Sequence, residues 1–340
     1  MVTPIKSTRL NYYLNGYDED LRKQLVVGFS DGFRISSFND CHNDNDKNSK
    51  SASLKPKIIK EKIDKEVSLG RFSGPYIVPP FDKYIISPLG IREKKTPGEY
   101  RVIHNLSYPY DETSVNSNIP RECATVQYAT ISDAIKHINF HGRGCFLAKT
   151  DIKSAFRLLP VHPDDRHLLG LKWDGYYYFD TCLPMGCSSS CKLFEMFSTS
   201  LEWIILQKLN NVNVIHVLDD FLFIAPTFDL CEAALNIFLK ICMDIGVPIA
   251  EEKTMGPSQV LPFVGIELDT KLMVARLPVD KIEKFSNLVQ EVIHSKSIKL
   301  HQLQSLCGML NFASGIITPA RAFNRRLYDL GIGLSKSYYY

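Results

Sequence analysis

The sequence predicts an α+β fold, built as about two domains or one larger multi-lobed one. Three observations lead there. Short strand-like apolar runs and helical apolar stripes follow one another in mixed order, without the regular strand–helix alternation of a doubly wound sheet. The strands are interrupted by polar and proline-rich segments, and no internal repeat is found. The 340 residues, 45% hydrophobic and 23% charged, have ordinary globular composition, which excludes wholesale disorder and fibrous structure.

Taken in order, residues 17–29 (YDEDLRKQLVVGF) read as a short amphipathic helix. The polar stretch Asn39 to Ser53 has almost nothing to bury and reads as a flexible linker or loop. Residues 54–69 return to helical spacing through Ile58, Ile59, Ile63, Val67 and Leu69, and Pro75, Pro79, Pro80 and Pro88 then break any helix. Residues 145–150 (CFLAKT) form a strand running into Asp151, and 176–183 (YYYFDTCL) form another. Residues 213–225 are two apolar runs around Asp219–Asp220, a tight hairpin. A helix is predicted over 229–245. Asp229 and Glu232 suggest a capping box, Leu230, Ala234, Ile237, Phe238 and Ile241 a stripe, and Gly246 a C-terminal cap. After Pro278 two helical stripes follow, Ile282–Phe285–Val289–Val292–Ile293 and Leu303–Leu306–Cys307–Leu310.

No apolar run approaches the roughly 18 residues that span a bilayer, so no membrane association is expected. Nine irregularly spaced cysteines argue against a disulfide scaffold and for a reducing, intracellular compartment, cytoplasmic or nuclear. Net charge is only +3, but it is unevenly spread. Residues 50–101 and 271–340 each carry +6, whereas 102–270 carry −8. Basic flanks around an acidic centre suit a polyanion held at the edges, with carboxylates binding metal between them. Uneven surface decoration is the plain alternative.

Asp151 ends an apolar strand, and Asp219 and Asp220 lie in an apolar hairpin 68 and 69 residues later. Carboxylates so placed are costly unless paired, hydrogen-bonded or metal-bound. Mg²⁺ takes a few carboxylate oxygens together with substrate phosphates. Two such ions about 4 Å apart can activate a 3′-hydroxyl and stabilise a leaving pyrophosphate. The alternative for Asp219–Asp220 is an ordinary turn, since Asp is a turn residue.

The surrounding segments decide between these readings. PLGIREKKTPGEYRVIHNLS (88–107) resembles the fingers hairpin of retroelement reverse transcriptases, and FLAKTDIKSAFRLLPVHPDD (146–165) their first catalytic motif. LPMGCSSSCKLFEMF (183–197) resembles the template-and-nucleotide motif and HVLDDFLFI (216–224) the second catalytic motif. GVPIAEEKT (246–254) resembles the lysine-bearing motif and LPFVGIELD (261–269) the primer grip. The phrasing, including LQSLCGMLNFASGIITPARAFNRRLYDL (303–330), is similar to the DIRS-type tyrosine-recombinase retrotransposons.

This resemblance implies a right-hand polymerase whose antiparallel palm sheet packs on helices. Its expected division is an N-terminal helical extension and linker over 1–53, fingers over 54–121 and 159–187, palm over 122–158 and 188–275, and a truncated helical thumb over 276–340. The implied activity is RNA-directed DNA polymerisation with two Mg²⁺ or Mn²⁺ ions. The implied partners are an RNA template, a DNA primer or RNA–DNA hybrid, and deoxynucleoside triphosphates. RNase H and recombinase regions of a parent element are expected outside this chain.

Residue by residue, the resemblance implies Asp151 and Asp219 as the principal metal ligands, with Asp220 a third carboxylate and the Ile152 carbonyl a further ligand. Lys94 or Lys95 with Arg101 would meet the triphosphate. Phe156 would be the aromatic gate that clashes with a 2′-hydroxyl, favouring deoxynucleotides. Met185 and Gly186 would face template or incoming base, and Lys253 would protonate departing pyrophosphate. Val264 and Gly265 would touch the primer backbone. Departures from the family pattern stand at Asn105, Met185, Cys191 and Val217, and none removes a metal ligand. Two other readings compete less well. Cys182, Cys187 and Cys191 lack a fourth zinc ligand at a recognised spacing. His162, His167 and Asp164–Asp165 suit an exposed turn. A remnant that binds nucleic acid without activity is the alternative function. An RNA-directed RNA polymerase is disfavoured by Phe156.

Overall fold

A computed structural model describes residues 3–37, 41–42, 47–93, 98–295, 297–317 and 319–333. In chain order the elements are α1 (Ser7–Tyr13), α2 (Glu19–Asp31), α3 (Lys50–Ser53), α4 (Pro56–Ser68), β1 (Phe72–Tyr76), β2 (Leu89–Glu93), β3 (Tyr100–His104), α5 (Arg121–Ala124) and α6 (Ile131–His141). There follow β4 (Phe146–Asp151), β5 (Gly170–Trp173), β6 (Tyr176–Asp180), α7 (Ser190–Leu206), β7 (Asn213–Val217), β8 (Asp220–Ala225) and α8 (Phe228–Ile245). The last elements are β9 (Met255–Ser258), β10 (Val260–Phe263), β11 (Ile266–Asp269), β12 (Val274–Arg276), α9 (Val279–His294), α10 (Leu300–Ser314) and α11 (Ala320–Asp329). No helix among the described residues is long and apolar enough to cross a membrane.

The chain divides into two compact units. The first holds the residues up to Tyr128, Asp151–Leu209 and Asn236–Glu252; the second holds Ala129–Thr150, Asn210–Leu235 and everything from Lys253 onward. In the first unit, strands are ordered β1-β6-β5 in one antiparallel sheet, and β2-β3 form a separate hairpin. Helix α4 buries Ile59 and Ile63 against Phe72, Leu89, Leu171 and Tyr178. Helix α2 starts at Glu19, two residues after the predicted start, because the Asp18 carboxylate caps it by accepting the Leu21 N–H at 2.9 Å.

The second unit is built on a four-stranded sheet ordered β7-β8-β4-β9 and a three-stranded meander β10-β11-β12. Helix α6 lays Ala134 and Ile138 on Leu147, Ile215, Leu222 and Ile224, with Phe263, Ile266 and Leu268 completing the core. Its start is held by the Asp133 carboxylate, which accepts both the Thr130 N–H (2.9 Å) and the Thr130 hydroxyl (2.7 Å).

Four sequence expectations need correction. The polar stretch is no free linker over its described residues 47–53. The Asn48 amide donates to the Lys172 carbonyl (2.9 Å) and accepts the Leu89 N–H (2.7 Å), Ser51 accepts the Ile91 N–H, and Ala52 is buried. Polar side chains there satisfy the exposed backbone of β2, a use that burial-based reading overlooks. Strand β6 ends at Asp180 rather than at residue 183. Helix α8 is capped by the Thr227 hydroxyl accepting the Leu230 N–H (3.3 Å), and its buried face uses Cys231 and Leu235 rather than the exposed Leu230. Asp165 is not on an exposed turn: it is buried, paired with Arg34 (2.8 Å), and accepts the Ile35 N–H (2.8 Å).

Candidate active site

The site residues fall on both units, and each group is built from its own unit. In the second unit, Val217 pairs with Asp220 across β7 and β8, so Leu218–Asp219 is a two-residue turn. Leu218 sits at φ 55°, a left-handed conformation that costs a leucine about 1–2 kcal/mol. A positive φ at the first central residue is what such hairpins need to match strand twist. The turn thus places Asp219 at the hairpin tip and Asp220 as the first residue of β8, both half-buried. Fully buried Phe221, Leu222, Phe223 and Ile224 anchor the strand behind them. Within the sheet, β8 is the neighbour of β4, the strand that runs into Asp151.

The two residues expected at the primer grip also lie in this unit. Phe263 pairs with Ile266, leaving Val264 (φ 40°) and Gly265 (φ 82°) as a turn with two left-handed residues. Lys281, from α9, donates its ammonium to the Gly265 carbonyl at 2.9 Å and lies 4.1 Å from the ring centre of Phe312 on α10. Nothing in the sequence marked Lys281; its role depends on a turn sixteen residues earlier. Lys253 is exposed at the end of a short 3₁₀ turn.

In the first unit Asp151 is 6% exposed. The backbone around it is pinned to the segment 248–250: Ala250 N–H donates to the Asp151 carbonyl and Lys153 N–H to the Pro248 carbonyl, both at 2.8 Å. Ile152 faces Ile249 as the non-hydrogen-bonded pair between these bonds, so its carbonyl points to the opposite edge. Ser154 and Ala155 then take positive φ (66° and 20°), turning the chain sharply into the 3₁₀ turn that carries Phe156. The Phe156 ring is half-buried and meets Phe194 edge-on at 5.6 Å.

Arg101 is exposed on β3, directly opposite Arg92 on β2. Two like charges facing across a hairpin repel, a cost an anion would relieve. Lys94 and Lys95 lie outside the described residues. Arg101 and Met185, the latter 60% exposed, line one cleft of about 200 Å³ together with His104, Arg157 and Asp180. Gly186 is close-packed against its own protein: a Cβ there would stand 1.8 Å from the His104 carbonyl oxygen. The Asn116 amide donates to the Gly186 carbonyl at 2.8 Å and accepts the Ser188 N–H at 2.9 Å, fixing the loop.

Sequence reading missed a buried ionic chain beneath this cleft. His104 Nδ1 meets Asp180 Oδ2 at 2.9 Å, Asp180 Oδ1 accepts from Arg157 at 2.5 Å, and Arg157 donates to Glu66 at 2.8 Å. Burial alone would lower the Arg157 pKa, but the Asp180 and Glu66 carboxylates more than offset this and raise it. The missed signal was Asp180 itself, an acid ending an aromatic strand.

The donor types at the proposed metal positions are carboxylate and carbonyl oxygens, which suit a hard ion such as Mg²⁺ or Mn²⁺. Among the described residues no group of three or more His, Cys, Asp and Glu side chains is gathered to hold a metal, Cys182, Cys187 and Cys191 included.

A family model for reverse transcriptase (RNA-dependent DNA polymerase) matches residues 92–268, just over half the chain. The chain belongs to that family. Protein P of duck hepatitis B virus (isolate white Shanghai duck S31) is 24% identical over 163 residues, 48% of this chain and 20% of that protein. The Pro-Pol polyprotein of feline foamy virus is 26% identical over 197 residues, 58% of this chain and 16% of that one. The chain therefore spans a fifth or less of these relatives' lengths. Among solved structures, the foamy viral protease–reverse transcriptase dRH in complex with double-stranded DNA aligns with TM-score 0.62 and 18% identity, covering 93% of this chain and 55% of that one. The foamy viral protease–reverse transcriptase in complex with RNA/DNA hybrid aligns with TM-score 0.59 and 16% identity, covering 94% and 42%. The α+β expectation and its right-hand polymerase form are thereby met.

Proposed function

We propose that this chain is an RNA-directed DNA polymerase of a DIRS-type retrotransposon, extending a primer 3′-end with deoxynucleotides on an RNA or DNA template. The observation that carries the reading is the strained two-residue hairpin that presents Asp219 and Asp220, in a sheet whose adjacent strand ends at the buried Asp151. The motif order within residues 92–268 and the family match support it. The DIRS assignment rests on the phrasing of the motifs and of residues 303–330.

In this reading residues 54–121 and 159–187 are fingers, 122–158 and 188–275 palm, and 276–340 thumb, with 1–53 an extension. Asp151, Asp219, Asp220 and the Ile152 carbonyl would hold Mg²⁺ or Mn²⁺. Bound there, the ions would lower the pKa of the primer 3′-hydroxyl and neutralise the departing pyrophosphate. Arg101, with Lys94 or Lys95, would neutralise the triphosphate and orient it. Phe156 would exclude a 2′-hydroxyl by contact, and Met185 and Gly186 would bound the base. Lys253 would deliver a proton to the leaving oxygen, and the Val264–Gly265 turn would seat the primer. RNA–DNA hybrid and deoxynucleotides are accordingly the proposed partners, inside the cell.

Primer extension on poly(rA)–oligo(dT) with Mg²⁺ or Mn²⁺ tests this. Wild type should extend and Asp219→Asn should not. Folded protein that binds the hybrid yet never extends it, across several templates, would instead establish a binding remnant.

A further inference from the structure

His104 ends β3, three residues after Arg101, and is 5% exposed. Both its ring nitrogens face acceptors: Nδ1 lies 2.9 Å from Asp180 Oδ2, and Nε2 lies 3.1 Å from the Gly170 carbonyl oxygen. Asp180, 1% exposed, has its second oxygen taken by Arg157. Arg157 in turn donates to Glu66 of α4 at 2.8 and 3.1 Å. The same guanidinium reaches the Cys182 and Leu183 carbonyls at 3.2 and 3.4 Å, the two residues that lead into Pro184–Met185–Gly186. The loop and the strand also meet directly, because Gly186 leaves no room for a Cβ beside the His104 carbonyl.

Buried charges rarely add net stability, since desolvation opposes their attraction. They do fix geometry, because each alternative arrangement leaves a charge unpaired. Here the fixed geometry concerns two elements that line one cleft: β3 with Arg101, and the 183–186 loop with Met185. We propose that His104 is a positioning residue, acting through Asp180 and Arg157 to hold Arg101 and the Met185–Gly186 loop at the spacing that binds an incoming deoxynucleoside triphosphate. This rests on the reading of Arg101 and Met185 as nucleotide contacts.

The test is steady-state kinetics of the full chain, with deoxynucleotide and primer–template varied separately, on His104→Phe, His104→Asn and Asp180→Asn. Asparagine can keep the donor toward Asp180, whereas phenylalanine cannot. His104→Phe should raise the deoxynucleotide KM about tenfold or more, with kcat within about threefold and primer–template affinity unchanged. His104→Asn should recover most of that loss, and Asp180→Asn should resemble His104→Phe. A core role alone would lower the melting temperature without this split. A folded His104→Phe with wild-type KM overturns the proposal, as does a His104→Asn no better than His104→Phe.

Arg101→Ala separates this from failure of the underlying reading. If it raises KM while the His104 variants do not, positioning is wrong and the nucleotide site stands. If Arg101→Ala leaves KM unchanged, the nucleotide-site reading falls and takes the proposal with it. Should turnover be absent, deoxynucleotide-dependent salt resistance of the complex on a dideoxy-terminated primer reads the same affinities. Loss of that resistance in His104→Phe but not His104→Asn supports the proposal; equal resistance in all three refutes it.

Discussion

Replacing Gly186 by alanine inserts a methyl group into the narrowest contact of the proposed nucleotide loop. The new Cβ would stand 1.8 Å from the His104 carbonyl oxygen, where ordinary contact begins near 3.4 Å, so loop and strand must part by about 1.6 Å. The obstacle is backbone, not a mobile side-chain tip, and the neighbouring carbonyl is held on both sides. The His104 ring is tied to Asp180 and Gly170, and the Gly186 carbonyl to Asn116. Overpacking of this kind costs about 1–3 kcal/mol. A loss near 2 kcal/mol should lower the unfolding midpoint of a chain of this length by about 3 °C. Arg101 lies three residues from His104, and displacement of a positioning group by about 1 Å can reduce turnover efficiency as much as 10²-fold. Thermal unfolding and single-nucleotide extension would be measured together. Gly186→Ala should lower both the melting temperature and kcat/KM for deoxynucleotide. An alanine variant as stable as wild type, within about 0.5 kcal/mol, and with unchanged kcat/KM would refute the steric reasoning.

Three further outcomes are expected. Asp133 is held down to about 2 by the Thr130 hydroxyl first, then by the Thr130 N–H and Lys136. Its stabilisation is therefore complete above its ordinary value of 3.8 and is lost as pH falls through about 2. Because the side chain is one-third exposed, Asp133→Ala should cost only about 1 kcal/mol at neutral pH, and urea denaturation near pH 2 should show most of that difference gone. Phe156→Val should raise ribonucleotide insertion relative to deoxynucleotide by about tenfold or more, read by competition at one template base; unchanged selectivity would leave Phe156 a packing residue on Phe194. Lys281→Met removes the bond to the Gly265 carbonyl and the cation over Phe312. It should weaken primer–template binding about fivefold, for roughly 1 kcal/mol, with the deoxynucleotide KM unmoved.

The carboxylates of the proposed catalytic centre stand out in the sequence because their signals are local. An acid at the end of a buried strand is conspicuous against its apolar neighbours, and Asp151 is such a residue. The Asp219–Asp220 hairpin follows from two apolar runs with polar residues between them, and Val217 does pair with Asp220. What escaped was the strain: no propensity places Leu218 at φ 55°, and only the flanking strands, once paired, impose it. The polar stretch before α4 misled for a related reason. Its side chains bury little apolar area, yet Asn48 and Ser51 hold the edge of β2 by hydrogen bonds that composition does not encode.

By itself the sequence determined part of the helices and strands, those with a clear apolar period, where the carboxylates stand along the chain, and the motif order that marks a reverse transcriptase. Those properties depend on periodicity and on neighbours a few residues apart. Only the tertiary structure decided what lies across the fold. It set His104 between Asp180 and Gly170, joined Arg157 to Glu66 across ninety-one positions, brought Lys281 to Gly265, and made Gly186 indispensable to a carbonyl eighty-two residues before it. Such partners are chosen by packing, because a buried charge or a missing Cβ is matched only by whatever the completed core places beside it.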